Sequence, residues 1–398
     1  MNPTDVAILG TGMSDMSRRD QEPETMAYEV VHEALGDAGI SAHELGLVIV
    51  GNAMAGRLSD QGCVKGQTWL SKAGLSEVAI INVDNSCAGG SSALHLATLA
   101  ATAQDRPILA LGVEKMWTGD RAGTIAGIED GLPAEYRHDL HDRRHEDDNP
   151  AGSILMGLNN GWAHRLMADV GATVRQIAAA AVKAFEHAAR NPLAQFQRRV
   201  TIEEVLASPQ VAGVLTRLMC SSFTDGAAAV VLGGPSVPAP ASSPRIIGSV
   251  ARSGNGSIDY HDRLTQAAEA AWEAFGFGPD DADLVELHDA TAAEELFALE
   301  SLGFFAPGEA GPATEAGGTG IDSPGLVVNS SGGLVGRGHP LGATGLAQVV
   351  ELATQFRGRA GDRQVAGARL GVAVNTGGII YGDAGFVGIH AVRSGSAA

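Results

Sequence analysis

Only three cysteines, Cys63, Cys87 and Cys220, occur in 398 residues. Three thiols cannot build a disulfide framework, and their spacing shows no CxxC metal pattern. They read as reduced thiols, so a cytoplasmic protein without a metal site is expected. Cations are also scarce: 27 Lys plus Arg stand against 46 Asp plus Glu, a formal net charge of −19. That balance argues against a general nucleic-acid surface, and no nucleic-acid partner is expected. No window offers about 18 uninterrupted apolar residues, so no membrane span is expected. The opening MNPTDVAILGTG lacks a basic segment followed by an apolar stretch, so no secretory signal is expected either. The 53 glycines do not fall into G-X-Y triplets, which excludes collagen.

What is present is enough apolar material for a large core: 44% hydrophobic against 18% charged residues. The length suggests two to three units. A long internal repeat organises them. Residues 5–10, DVAILG, read as a buried strand, and a helix follows from Glu24 to Ala38. Its apolar stripe is Met26, Ala27, Val30, Val31, Ala34 and Leu35, with Gly39 as the stop. Leu45–Val50 is a second strand. The second half repeats the order: a strand at 245–250, a helix at 262–275, and a strand at 283–287 running into His288-Asp289. Residues 107–113 match 369–374, and 227–232 match 384–389. Two copies of a β-α-β-α-β-β unit are predicted, with helices covering the sheets.

Residues 117–218 have no counterpart in the second half. They open with a polar, mobile-looking stretch, EDGLPAEYRHDLHDRRHEDDNPAG, followed by helical runs at 172–190 and 201–207. The predicted units are an N-terminal half of residues 1–116 plus 219–240, an inserted loop domain of 117–218, and a C-terminal half of 241–398. Insertions of this kind commonly shape substrate access. The acidic, His-rich run from His138 to His145 matches no familiar metal spacing and reads as a solvated loop.

Four loops carry candidate chemistry. In NVDNSCAGGSSALHLA (82–97) a strand leads into Cys87, two glycines and a helix. A thiol at a helix N-terminus sees unpaired N–H groups that favour the thiolate. Read alone, Cys87 is equally a buried structural cysteine. In ELHDATAAEEL (286–296) His288 ends a strand, and Asp289 or Thr291 caps the next helix. NSSGGLVGRGHPLGATG (329–345) is a Gly-rich loop with His339 opening a helix. It fits neither phosphate-loop pattern. VNTGGIIYGDAG (374–385) has glycines that let backbone N–H groups face a ligand.

These residues together resemble the thiolase superfamily, and most closely the thiolases related to sterol-carrier-protein thiolases. The resemblance covers nearly the whole chain. It rests on Ser86-Cys87-Ala88-Gly89-Gly90-Ser91, His288-Asp289-Ala290, GHPLGATG from Gly338 to Gly345, and Asp225-Gly226-Ala227-Ala228-Ala229. It implies an α/β thiolase fold: two βαβαβαββ halves packed as an α-β-α-β-α sandwich with the loop domain inserted. It implies a thiolase-like C-acyltransferase that forms or cleaves a C–C bond of an acyl-CoA thioester through an acyl-Cys87 intermediate. His339 would activate the thiol. The N–H groups of Cys87 and Gly377 would form one oxyanion hole, and His288 with His339 another. Coenzyme A thioester enters as substrate, with no permanently bound cofactor. Ser249, Lys183, Arg198 and Arg199 are the coenzyme A candidates. A homodimer is implied, and some relatives work with a small zinc-ribbon/OB-fold partner.

The chain departs from the family pattern at the α-proton base. The usual C-x-G triplet is Asn375-Thr376-Gly377 here, and the cysteine that follows His-Asp in the sterol-carrier subgroup is Ala290. The resemblance places Cys63 and Cys220 in segments away from the site. What remains, Cys87 with His288 and His339, looks like the Cys-His-His set of decarboxylative condensing enzymes on the same fold. That chemistry, acyl transfer, and activity only with a partner subunit stay open as alternatives.

Overall fold

The computed structural model describes residues 5–75, 77–143 and 149–396. Among them, ten strands hydrogen-bond into one sheet. In chain order these are β1 (Val6–Met13), β2 (Leu47–Gly51), β3 (Ala79–Val83), β4 (Ile108–Glu114), β5 (Gly226–Gly233), β6 (Arg245–Ser253), β7 (Leu284–Glu286), β8 (Val327–Val328), β9 (Leu370–Ile380) and β10 (Asp383–Arg393). Across the sheet they run β8-β7-β9-β10-β6-β1-β5-β4-β2-β3.

That order reads the same from both ends once β1 to β5 are matched with β6 to β10. β2 runs parallel to β3 and β4, as β7 does to β8 and β9. β5 pairs antiparallel with β1 and β4, as β10 does with β6 and β9. The repeat expected from the sequence is therefore a structural one. The halves meet edge to edge through a short ladder, Val6↔Ile246 and Ala7↔Arg245.

Helices divide this sheet into layers. Helix α1 (Pro23–Ala38) buries the expected stripe against Val48, Val50, Leu109 and Leu111. Pro23 suits its first turn, and Gly39 ends it in the left-handed region at φ 67°. Helices α2 (Gly89–Ala103), α3 (Tyr260–Phe275), α4 (Ala292–Ser301) and α5 (Leu341–Phe356) complete the main set. The two that begin at Gly89 and Leu341 lie side by side between the halves. Ala93, Leu94 and Ala97 share a core with Leu346, Val349 and Val350. A Cβ on Gly345 would lie 2.5 Å from the Ser91 nitrogen, and one on Gly90 would lie 2.7 Å from the Gly342 oxygen. These glycines let the two helices touch backbone to backbone. Helices α3 and α4, with the inserted segment, cover the other half: Leu264, Ala267 and Phe297 pack with Val285, Ile389, Ile177 and Phe185. The layers are α-β-α-β-α.

The segment between β4 and β5 is more ordered than its composition suggests. The stretch read as polar and mobile contains the end of the helix Arg121–Glu129 and the helix Ala134–Arg143. The second has no buried residue and is tied down instead. Glu129 accepts from the Ile154 N–H and bonds His141 at 3.0 Å; Arg137 pairs with Asp130. Three further helices follow, Ile154–Val170, Val174–Ala189 and Ile202–Ala207. The last two meet the expected runs at 172–190 and 201–207, and both start with a capping box, from Thr173 and Thr201. His145 of the His-rich run lies outside the described residues.

Candidate active site

Four loops converge on one cavity of about 980 Å³. Cys87 comes from the turn between β3 and α2. That turn is strained: Ser86 holds φ 52°, a left-handed conformation unusual for a residue with a Cβ. Gly377, in β9, closes on it so tightly that a Cβ there would sit 2.0 Å from the Asn85 oxygen and 2.6 Å from the Ala88 nitrogen. His288 follows β7, and His339 precedes α5. The Cys87 sulfur and one ring nitrogen from each histidine lie within 4.8 Å of one another. The rings cross edge to face with centroids 5.0 Å apart. Cys87, His288, His339 and Gly377 all line the cavity.

Hydrogen bonds set the two tautomers in different ways. His339 Nδ1 bonds Thr344 Oγ1 at 2.7 Å, and that hydroxyl donates onward to the Pro340 carbonyl at 2.9 Å. The ring therefore donates from Nδ1, and its Nε2 lone pair is available. His288 Nδ1 lies 2.8 Å from the Asn375 side-chain amide and accepts from it. Its proton then sits on Nε2, a donor. One histidine is arranged as a base and the other as a hydrogen-bond donor.

Burial controls the charges. It pushes the Cys87 thiol up to about 12, and the Glu294 and Glu114 carboxylates push the same way. Burial takes His288 down to about 3 and holds His339 well below the ordinary imidazole value. The resting pair is a neutral thiol beside a neutral imidazole. Desolvation works against the thiolate that a helix N-terminus favours.

The supporting loops are fixed from below. Glu114 accepts from the N–H groups of Ala53, Met54 and Gly342 and from the Asn52 side chain, which pins the His339 loop to β4. Burial raises it to about 7. Asp289 caps neither neighbour in sequence. It accepts from the N–H groups of Leu334 and Val335, while Thr291 caps α4. Asp225 of the DGAAA run accepts from the N–H groups of Met116 and Trp117 and pairs with Lys115 at 2.8 Å. It holds the two ends of the inserted segment together.

The inserted segment supplies much of the wall, including Met156, Trp162, Phe185 and Phe196. Of the coenzyme A candidates, Arg198 lines the cavity. Arg199 stands outside it, 68% exposed beside Glu186. Lys183 is buried and tied to Glu295 at 2.6 Å, so its charge is already neutralised inside the protein. Ser249 sits between His95 and His390 in the sheet, away from the cavity lining. Those last two stand off the cavity, Lys183 in its buried ion pair and Ser249 in the sheet. Cys220 needs the opposite correction. It does reach the cavity wall, although its sulfur turns to the Thr216 carbonyl at 3.4 Å. Cys63 is exposed and elsewhere. Lining residues that the sequence reading passed over are Tyr260, Glu294 and Thr376, and three further arginines, Arg18, Arg121 and Arg217. Neither Glu294, an acid in a helix's first turn, nor Tyr260 carries a local signal in the sequence.

Comparison with known proteins agrees with this geometry. The thiolase N-terminal domain model matches residues 6–234, and the thiolase C-terminal domain-like model matches 257–387. An acetyl-CoA acetyltransferase of Methanothermobacter thermautotrophicus is 36% identical, over 94% of this chain and 96% of its own. Sterol carrier protein 2 of Bos taurus is 32% identical over 94% of this chain and 70% of its own. The benzoylsuccinyl-CoA thiolase subunit BbsB of Thauera aromatica is 31% identical over 90% and 91%. Among solved structures, the Ltp2-ChsH2(DUF35) aldolase superposes with a TM-score of 0.80 at 21% identity, covering 99% of this chain and 98% of that one. Human mitochondrial 3-ketoacyl-CoA thiolase in complex with CoA gives 0.72 at 17% identity, covering 100% and 99%. The chain belongs to the thiolase family and is a thiolase-like C-acyltransferase, an enzyme of acyl-CoA carbon–carbon bond chemistry.

Proposed function

We propose that the reaction runs through an acyl-Cys87 intermediate. The observation that carries this is the 4.8 Å cluster of the Cys87 sulfur with two imidazoles of opposite tautomer. As the sulfur attacks the thioester carbonyl, its proton passes to His339 Nε2. The N–H groups of Cys87 and Gly377 hold the oxyanion. His339 then returns the proton to the departing coenzyme A thiolate. In the second half-reaction, His288 Nε2–H donates to the oxygen of the incoming thioester as its enolate forms. Asn375 acts through His288 as a positioning residue.

The coenzyme A phosphates are assigned to Arg198, which lines the cavity and stands 3.8 Å from Glu204, and to Arg121 and Arg217, which also line it. Neither of the latter is in an ion pair among the described residues. The apolar wall around Trp162 supports an acyl group with hydrocarbon bulk. A homodimer is supported by the exposed edge strand β3, where Ile81 is 47% exposed, and by Leu96 and Leu99 on the neighbouring helix. A small zinc-ribbon/OB-fold partner is supported by two names, the "subunit" of the Thauera relative and the two-protein Ltp2-ChsH2(DUF35) assembly. The free cysteines suit a cytoplasmic setting. No helix among the described residues is long and apolar enough to cross a membrane.

The test is incubation with acetyl-CoA, malonyl-CoA and a β-ketoacyl-CoA, reading intact mass and released coenzyme A. Acyl-Cys87 and thiolysis of the β-ketoacyl-CoA are expected. CO₂ release from malonyl-CoA would instead favour decarboxylative condensation. No acylation, with no difference in Cys87→Ser, would sink the acyl-enzyme reading.

A further inference from the structure

Neither cysteine position that could supply an α-proton base is filled, at residue 290 or in the 375–377 triplet. The structure puts another pair of acidic groups between these two loops. Glu294, in the first turn of α4, is only 3% exposed yet lines the same cavity as Cys87, His288 and Ala290. Its Oε2 accepts from the Ala290 N–H at 3.1 Å, and its Oε1 accepts from the Tyr260 hydroxyl at 2.6 Å. The Tyr260 oxygen also meets Thr376 Oγ1 at 2.7 Å. The carboxyl and the phenol thus span from residue 290 to residue 376. Glu294 has no ion pair among the described residues, whereas its neighbour Glu295 takes Lys183 and Asn329. A buried carboxyl without a cation is costly to keep for structure alone. Facing a reaction cavity, it is suited to carry a proton.

We propose that Glu294, held by Tyr260, is the acid/base that moves the α-proton of the second thioester. The proposal rests on the acyl-Cys87 reading. In condensation, the carboxylate takes a proton from the α-carbon. The carbanion attacks the acyl-Cys87 carbonyl; the new C–C bond forms and the C–S bond breaks. The proton then passes from Glu294 to the Cys87 thiolate. Thiolysis reverses each step. Burial drives Glu294 up to about 8 and Tyr260 well above its ordinary value. The other titratable groups lining the cavity are Cys87, Cys220, His288 and His339, held neutral by burial, and the arginines Arg18, Arg121, Arg198 and Arg217. A base with that value gives α-proton abstraction that rises with pH to a plateau above about 8. Thiolysis starts from the same form, because the Glu294 carboxylate first takes the Cys87 proton, so it rises over the same range.

Cys220 is the competing candidate, since it lines the cavity behind Ala290. Its sulfur, however, is turned to the Thr216 carbonyl at 3.4 Å.

The test compares wild type, Glu294→Gln, Glu294→Asp, Tyr260→Phe and Cys220→Ala. Each is given acetyl-CoA in D₂O and, separately, acetoacetyl-CoA with coenzyme A. Acyl-Cys87 is read by intact mass, and deuterium at the α-carbon by mass spectrometry. Glu294→Gln is expected to keep acylation within about threefold while losing exchange and thiolysis by about 10²–10⁴. It also loses the inflection near pH 8. Glu294→Asp recovers part of the exchange with an inflection. Tyr260→Phe moves the inflection upward, because a hydrogen bond that favours the carboxylate is gone. Cys220→Ala exchanges like wild type. Exchange at the wild-type rate in Glu294→Gln overturns the proposal, as does exchange lost in Cys220→Ala alone. If Glu294→Gln does not fold, an unmoved inflection in Tyr260→Phe overturns it. A wild-type protein that never acylates Cys87 strikes the acyl-enzyme reading instead.

Discussion

The Asn375 amide donates to His288 Nδ1 at 2.8 Å, and this one bond decides which face of the imidazole carries the proton. Asn375→Asp would present an acceptor there, put the proton on Nδ1 and remove the donor aimed into the cavity. The C–C bond step should fall about 10²–10³-fold, as for other lost oxyanion donors. Acyl-Cys87 formation should change little. Single-turnover thiolysis beside intact-mass acylation separates the two steps.

Thr344 does the converse for His339, accepting its Nδ1 proton at 2.7 Å. Thr344→Val keeps the shape and removes the acceptor. A net hydrogen bond of about 0.5–1.5 kcal/mol corresponds to roughly 2–10-fold slower acylation of Cys87. The burst rate of coenzyme A release measures it.

Cys87 should alkylate slowly at neutral pH. Burial holds it up to about 12, so below that value the thiol is protonated and only a small thiolate fraction reacts. The rate should climb about tenfold per pH unit from 7 to 10, with no plateau. Peptide mass mapping after iodoacetamide follows it separately from the exposed Cys63. A plateau near pH 7 would show a resting ion pair with His339.

Gly345→Ala should weaken the protein although it touches no substrate. The added carbon would sit 2.5 Å from the Ser91 nitrogen and 2.9 Å from Asn375 Oδ1. Backbone cannot yield there without moving one central helix. A loss of about 1–3 kcal/mol is expected in a denaturant titration.

Much of this architecture was legible in order and spacing. Four strands of each half are apolar runs, and α1 carries a clean stripe, so the repeat showed itself before any pairing was known, whereas β3, an exposed edge, and the two-residue β8 lay outside the predicted unit. The helix Ile154–Val170 was missed for a physical reason: it buries only Ile154, Asn159, Ala163 and Leu166, with no continuous apolar face to read. Ala134–Arg143 was missed because only Tyr136 and Leu140 of it pack on the core, with pairs such as Glu129 and His141 adding to their hold. At the site, Cys87, His288 and His339 stood out through their loops. Lys183 looked like surface charge until Glu295 was found beside it. Glu294 looked like an ordinary first-turn acid. Its partner Tyr260 lies 34 residues earlier, and nothing local marks such a pair.

The ladder between β1 and β6 has consequences for how this enzyme fails. Only Val6↔Ile246 and Ala7↔Arg245 stitch the halves there. The seam also holds α2 lying against α5, one begun beside Cys87 and the other beside His339, and the pairs Gly342 with Glu114 and Arg357 with Asp37. The sulfur-to-imidazole distance is thus a gauge of how the two halves are seated. Slippage by a single side chain would silence the chemistry while both sheets stayed intact.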